Sequence, residues 1–135
     1  MITLSLYMLM FAVRPDGGPL MHARLTAAAT AVWIVESGGR RHPPAGDGGR
    51  AVGPLQIWPI RVADCNRIVG SDRWTLADRE SLDESVQMFV TSCLHYWPAG
   101  TIEQWCRHWN GSPTRGPNQQ STIEYWQKCR KEIDR

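Results

Sequence analysis

Residues 25–57 read LTAAATAVWIVESGGRRHPPAGDGGRAVGPLQI, an apolar helical stripe that runs without a break into a glycine-rich loop. Glu36 stands at the junction. Leu25, Ala29 and Val32 precede it at offsets of four and three residues, so the carboxylate continues a row that faces the core. Gly38-Gly39 follows at once and suits the left-handed conformation that ends a helix. Burial and the carbonyl-rich end of the helix both disfavour a negative charge there, so Glu36 is expected to hold its proton near neutral pH. A carboxylic acid kept neutral is what general acid catalysis requires. The competing reading is a surface glutamate in a fraying last turn.

Working outward, the 135-residue chain is 42% hydrophobic and 21% charged, which suits one globular domain with a single core. The net charge is +2 and the arginines are scattered apart from Arg40-Arg41, so the basic stripe of a nucleic-acid binder is missing. The mild positive bias suits an anionic polymer. Seven tryptophans, Trp33, Trp58, Trp74, Trp97, Trp105, Trp109 and Trp126, are mostly expected in the core. One or two at a cleft edge would be free to stack on sugar rings.

The pattern is mainly α-helical. A first helix is expected from about His22 to Ser37, and a second from Pro59 to about Val69, closed by Gly70. Ser81 with Glu84, Thr101 with Gln104 and Ser121 with Glu124 have capping-box spacing and open three more. Val86, Phe89, Val90, Cys93 and Trp97 form the inward face of the first of these. Ile102, Trp105, Cys106 and Trp109 line the next, and Ile123, Trp126 and Ile133 the last. Between Arg40 and Gly53 glycine and proline dominate, and Asp47-Gly48 is a hairpin signal. A small β-ribbon is therefore expected toward 51–57.

Residues 1–21 read as an N-terminal extension. Their apolar part, 1–13, is too short to cross a bilayer and lacks the basic start and small-residue cleavage site of a secretion signal. Met21 is an alternative start. No integral membrane segment is expected. Cys65, Cys93, Cys106 and Cys129 are spread through the domain and read as small buried thiols, with one or two disulfides as the alternative in an exported protein. The paired Cys93-x-His95 and Cys106-x-His108 do not suit a metal, because residues two apart on a helix point to different faces. No metal or cofactor is expected.

The loop begins immediately after Glu36 and folds back through Gly53-Pro54-Leu55-Gln56-Ile57, which brings Gln56 toward the acid. Glu36-Ser37-Gly38-Gly39, then Gly46-Asp47, then Ala51-Val52-Gly53-Pro54-Leu55-Gln56-Ile57 resembles the core signature of the lysozyme-like superfamily, especially soluble-type lytic transglycosylases and goose-type lysozymes. Trp109-Asn110-Gly111 is similar to its aromatic-Asn-Gly motif, and Tyr125 falls where a late helix supplies a tyrosine to the cleft. The resemblance covers about Leu25 to Cys129.

It implies a mainly α, α+β lysozyme-like domain over residues 22–135, acting as a monomer on peptidoglycan glycan strands. The setting it implies is the bacterial envelope or a phage. Glu36 would be the catalytic acid, with Gln56, Asn110, Tyr125 and Ser37 as substrate-binding candidates. Each also has a structural reading: Gln56 as a partner for loop backbone, Asn110 as a left-handed helix end, Tyr125 as a core tyrosine. Ser37 has no sequence-local partner that would make it a nucleophile.

Asp47 is the candidate second acid, set against a solvated turn aspartate. With one well-argued carboxylate, the expected chemistry is the lytic transglycosylase reaction, in which the sugar's own C6 hydroxyl attacks. A two-carboxylate lysozyme is the alternative. Chitin cleavage is a weaker one. Pro54-Leu55 in place of the more usual Leu-Met, and Ser112-Pro113 after Gly111, depart from the family pattern. They keep a non-catalytic wall-binding protein as a further alternative.

Overall fold

The computed structural model describes residues 18–135, and the expectations for the apolar segment 1–13 lie outside them. Five α-helices order the described chain: α1 (Gly18–Ser37), α2 (Pro59–Val69), α3 (Leu82–Tyr96), α4 (Ile102–Asn110) and α5 (Ile123–Ile133). The mainly α class is as expected. None of the described helices is long and apolar enough to cross a membrane.

Helix α1 packs against α3, α4 and α5. Its alanines explain how. Ala28, Ala29 and Ala31 are buried together with Leu25, Val32 and Trp33, so small side chains let neighbouring backbones approach while the larger ones fill the gaps between them. Phe89, Val90, Met88 and Trp105 complete a continuous core, each such side chain contributing about 1.5–3 kcal/mol by leaving water. Within the described residues the helix already runs from Gly18, ahead of the expected start near His22. Met21 packs against the core.

The glycine stop forms as the sequence suggests. Gly38 and Gly39 take φ of 67° and 75°, and their N–H groups return to the carbonyls of Ile34 and Trp33 at 2.8 and 3.4 Å. The Trp33 indole then holds the Arg40 carbonyl at 2.8 Å, fixing the chain's exit from α1. Helix α2 likewise ends on Gly70 at φ 74°.

The β-ribbon is not formed. Only two isolated antiparallel bridges occur among the described residues, Gly46 with Ala51 and Val52 with Ile57. Positive φ at Asp47, Gly48, Gly49, Gly53 and Gln56 turns the backbone every few residues, so no two neighbouring pairs extend into a ladder. The loop is nonetheless well anchored, because Ala51, Leu55 and Ile57 are buried in the core.

Capping follows the sequence in part. Thr101 and Gln104 make both bonds of their box. Ser81 accepts the Glu84 N–H at 3.2 Å, but the Glu84 carboxylate turns instead to the Trp74 indole at 2.8 Å and to Arg73. The Ser121 box does not form. A 3-10 turn, Gln120–Thr122, leads straight into α5, and the buried Thr122 hydroxyl donates to the Gly116 or the Gln119 carbonyl while accepting from Arg107. That network ties the start of α5 to α4 more firmly than a free cap would. All four cysteines are buried and free.

Gly53 is the tightest point of the loop. A Cβ there would stand 1.7 Å from the Arg79 carbonyl oxygen, and its φ is +83°. Gly53→Ala is therefore expected to lower unfolding free energy by more than about 2 kcal/mol in a denaturant titration, through strain and the backbone displacement it forces.

Candidate active site

Four pieces of chain meet around a cleft of about 510 Å³: the end of α1, the glycine-rich loop, the start of α2 and the end of α4. This volume is in the range of small-molecule sites. Glu36, Asp47, Gln56 and Asn110 all line it. The sequence-predicted set is thus largely gathered in one place.

Glu36 is half-buried. Tyr125, itself buried on α5, donates its hydroxyl to Glu36 Oε1 at 3.0 Å. The Glu36 pKa lies above the ordinary carboxyl value of 4.5, first because burial disfavours its charge. The Tyr125 hydrogen bond opposes that shift, the nearby Asp47 charge adds to it, and Arg61 and Lys128 oppose it. Burial outweighs them. The surface reading of Glu36 is thereby excluded, and Tyr125 is both a core residue and a direct partner of the acid. Its own phenol is pushed well above the usual range by burial and by Glu36.

Asp47 sits at φ 50° in the turn Asp47–Gly49, exposed, with its Oδ2 accepting from the Trp58 indole at 3.3 Å. It reaches the same cleft as Glu36. Gln56 also takes a left-handed backbone, φ 51°, and its Nε2 donates to the carbonyls of Gly53 at 3.0 Å and Pro44 at 3.4 Å. Its amide nitrogen therefore closes the loop, as the structural reading has it, while the residue also lines the cleft. Close contact with Gln56 Oε1 also explains Gly46, where a Cβ would meet that oxygen at 2.6 Å.

Asn110 ends α4 without a left-handed backbone, since Asp47 and Gln56 are the non-glycine residues with positive φ among those described. Its side chain is exposed and makes no hydrogen bond among the described residues, which leaves the carboxamide free for a ligand. Ser37 is not brought to the cleft. One residue further round the helix than Glu36, it is buried, and its hydroxyl donates to the carbonyls of Trp33 at 3.0 Å or Arg40 at 3.2 Å.

Sequence reasoning missed Trp58, Ile60 and Arg61, which line the cleft beside these residues. Trp58 is the cleft-edge tryptophan, 37% exposed, and Ile60 is 76% exposed, so an apolar rim faces solvent. Arg61 donates Nη2 to the Trp109 carbonyl at 2.8 Å and lies 4.2 Å above the Trp109 ring. A signal for it was present. A cation in the first turn of a helix opposes the macrodipole, and Arg61 is the third residue of α2. It is stabilised instead by the last turn of α4, whose carbonyl end carries the opposite sign.

No family model, no curated protein and no solved structure matches this chain. The chemistry of the cleft stands on its own residues: a carboxyl group whose pKa burial raises, an exposed carboxylate, a free carboxamide and a guanidinium around one concave site.

The Tyr125 bond favours the charged form of Glu36. Tyr125→Phe should therefore move the Glu36 pKa further up, read directly by carbon-13 NMR titration of its side-chain carboxyl against the wild-type protein. An unchanged or lower midpoint would mean that the hydroxyl does not bond the carboxylate in solution.

Proposed function

We propose that the protein cleaves the β-1,4 glycosidic bond between MurNAc and GlcNAc in peptidoglycan, with Glu36 as the proton donor. The observation that carries this reading is the Tyr125-bonded Glu36, its pKa raised by burial, facing an open cleft. A glycosidic bond breaks when its leaving oxygen gains a proton while positive charge grows at the anomeric carbon. Glu36 supplies that proton. Once ionised, its carboxylate gains from the Tyr125 hydroxyl and from the positive charges of Arg61 and Lys128, so the proton loss is partly compensated by groups already in place. Pure sugar binding has no need for an acid held this way.

In the lytic transglycosylase route the Glu36 carboxylate next removes the proton of the muramyl C6 hydroxyl. The C6 oxygen closes on the anomeric carbon, giving a 1,6-anhydro end and returning the proton to Glu36. No water is consumed. Glu36 suffices for both steps, and it is much better fixed than Asp47, which is exposed and held by a single long contact with Trp58. The one-acid route therefore stands first.

Hydrolysis stands second, carried by the position of Asp47, which lines the cleft on the loop that follows the acid. From there it would activate water or stabilise the sugar cation.

Glu36→Gln should reduce wall cleavage by about 10²–10⁴-fold, the usual worth of a general acid, while the protein keeps its far-ultraviolet circular dichroism and cooperative melting. Undiminished cleavage would sink the assignment. Digestion of purified peptidoglycan in oxygen-18 water separates the two routes. Unlabelled anhydro-muramyl ends, with Asp47→Asn retaining most activity, are expected. Labelled reducing ends together with an inactive Asp47→Asn would make the protein a two-carboxylate hydrolase.

A further inference from the structure

Arg61 is a half-buried residue whose guanidinium, its pKa lowered by burial, lines the cleft with Glu36 and has no carboxylate within ion-pair distance among the described residues. Such a cation normally comes with a counter-charge, because desolvating it alone is costly. The protein offers only partial compensation. One Nη2–H goes to the Trp109 carbonyl and the π-face of Trp109 lies 4.2 Å below, while the remaining N–H donors have no partner among the described residues. The neighbouring acidic groups do not fill the role. Burial disfavours the charge of Glu36, whose Oε1 is already bonded by Tyr125, Asp64 is engaged by Arg67 and Tyr96, and Asp47 is held across the loop by Trp58. A second cation, Arg50, stacks on Trp58 at the same rim, 5.4 Å from the ring centre.

A planar fork of N–H donors in a concave site matches a carboxylate. Resting on the glycan-cleaving function proposed above, we infer that Arg61 binds a carboxylate carried by the sugar next to the scissile bond, the lactyl carboxylate of a muramyl residue. The acid and the guanidinium share one cleft, so the recognised group belongs to the reacting part of the glycan rather than to the far end of a peptide. In a strand that bears peptides the lactyl group is an amide and has no charge. The consequence is a substrate class: glycan strands already stripped of their peptides are preferred over peptide-bearing strands and over neutral chitin. Arg61 acts here as a specificity residue, and the reaction that supplies its substrate is an amide cleavage that frees the lactyl acid.

The test compares three oligosaccharides of equal length: peptide-free MurNAc–GlcNAc with a free lactyl acid, the same compound as its lactyl methylamide, and a chitooligosaccharide. The wild-type kcat/KM should favour the acid over the methylamide by about tenfold or more, as one charge-assisted hydrogen bond implies, and the preference should shrink with added salt. In Arg61→Gln the acid-to-amide ratio should fall to within about twofold, and in Arg61→Lys, which keeps the charge and loses the fork, it should be intermediate.

Equal wild-type rates on acid and methylamide, or Arg61 variants that lower every substrate alike, would overturn the inference and leave Arg61 as a support for Trp109. The wild-type ratio decides the matter even if a variant does not fold. Should none of the three compounds be cleaved, the proposed function fails separately. Binding then decides, because tryptophan fluorescence, with Trp109 under the guanidinium, should still report tighter binding of the acid than of the methylamide, and equal binding overturns the inference.

Discussion

One hydrogen bond, from the Tyr125 hydroxyl to Glu36 Oε1 at 3.0 Å, joins residues 89 apart in sequence and ties the last helix to the first at the edge of the cleft. Its partners sit in different surroundings. Glu36 is buried enough for its pKa to rise, yet lines the open cleft, and Tyr125 is buried without leaving its hydroxyl unpaired. The packing of α5 against α1 satisfies both. It also explains why α4 and α5 are bound to each other through Arg107 and Thr122, since a shift of α5 by a fraction of an ångström would break the bond that partners the acid.

The glycine-rich loop is the second constraint. It has little regular structure, and its shape is held by contacts that only certain residues allow: Gly53 against the Arg79 carbonyl, Gly46 against Gln56, and the buried Leu55 and Ile57 beneath. Arg79 reinforces this with bonds to the carbonyls of Arg50 and Ile57, both 3.1 Å. A loop fixed in this way carries Asp47 and Gln56 to the cleft at the cost of two left-handed non-glycine residues. Strain of that kind is retained where the surrounding structure enforces it, and here it coincides with the site.

What the sequence revealed follows from the range of the interactions involved. The end of α1, the Pro59–Val69 helix and the Thr101 box depend on residues within four positions of one another, so propensity and spacing reach them. The placement of Glu36 was legible because its apolar row and its glycine stop are adjacent in sequence. The Ser121 box failed for the opposite reason: Thr122 finds stronger partners in Gly116, Gln119 and Arg107. The β-ribbon failed because alternating residues cannot signal how often the backbone enters the left-handed region. Ser37 and Arg61 were misread or missed because which side of a helix faces a cleft is decided by tertiary packing.

Thermodynamic linkage tests the proton-holding acid without reference to any substrate. The stability of the wild-type protein relative to Glu36→Gln, measured by urea unfolding across pH, isolates this one group because the other titrating residues are shared. A carboxyl whose pKa rises on folding contributes stability that is fully present below its unfolded value of 4.5 and is lost as pH climbs through the folded value. The wild type should therefore lose ground to Glu36→Gln over that window and level off above it. A difference that stays constant with pH, or one in which the wild type gains as pH rises, would contradict a buried, proton-holding Glu36.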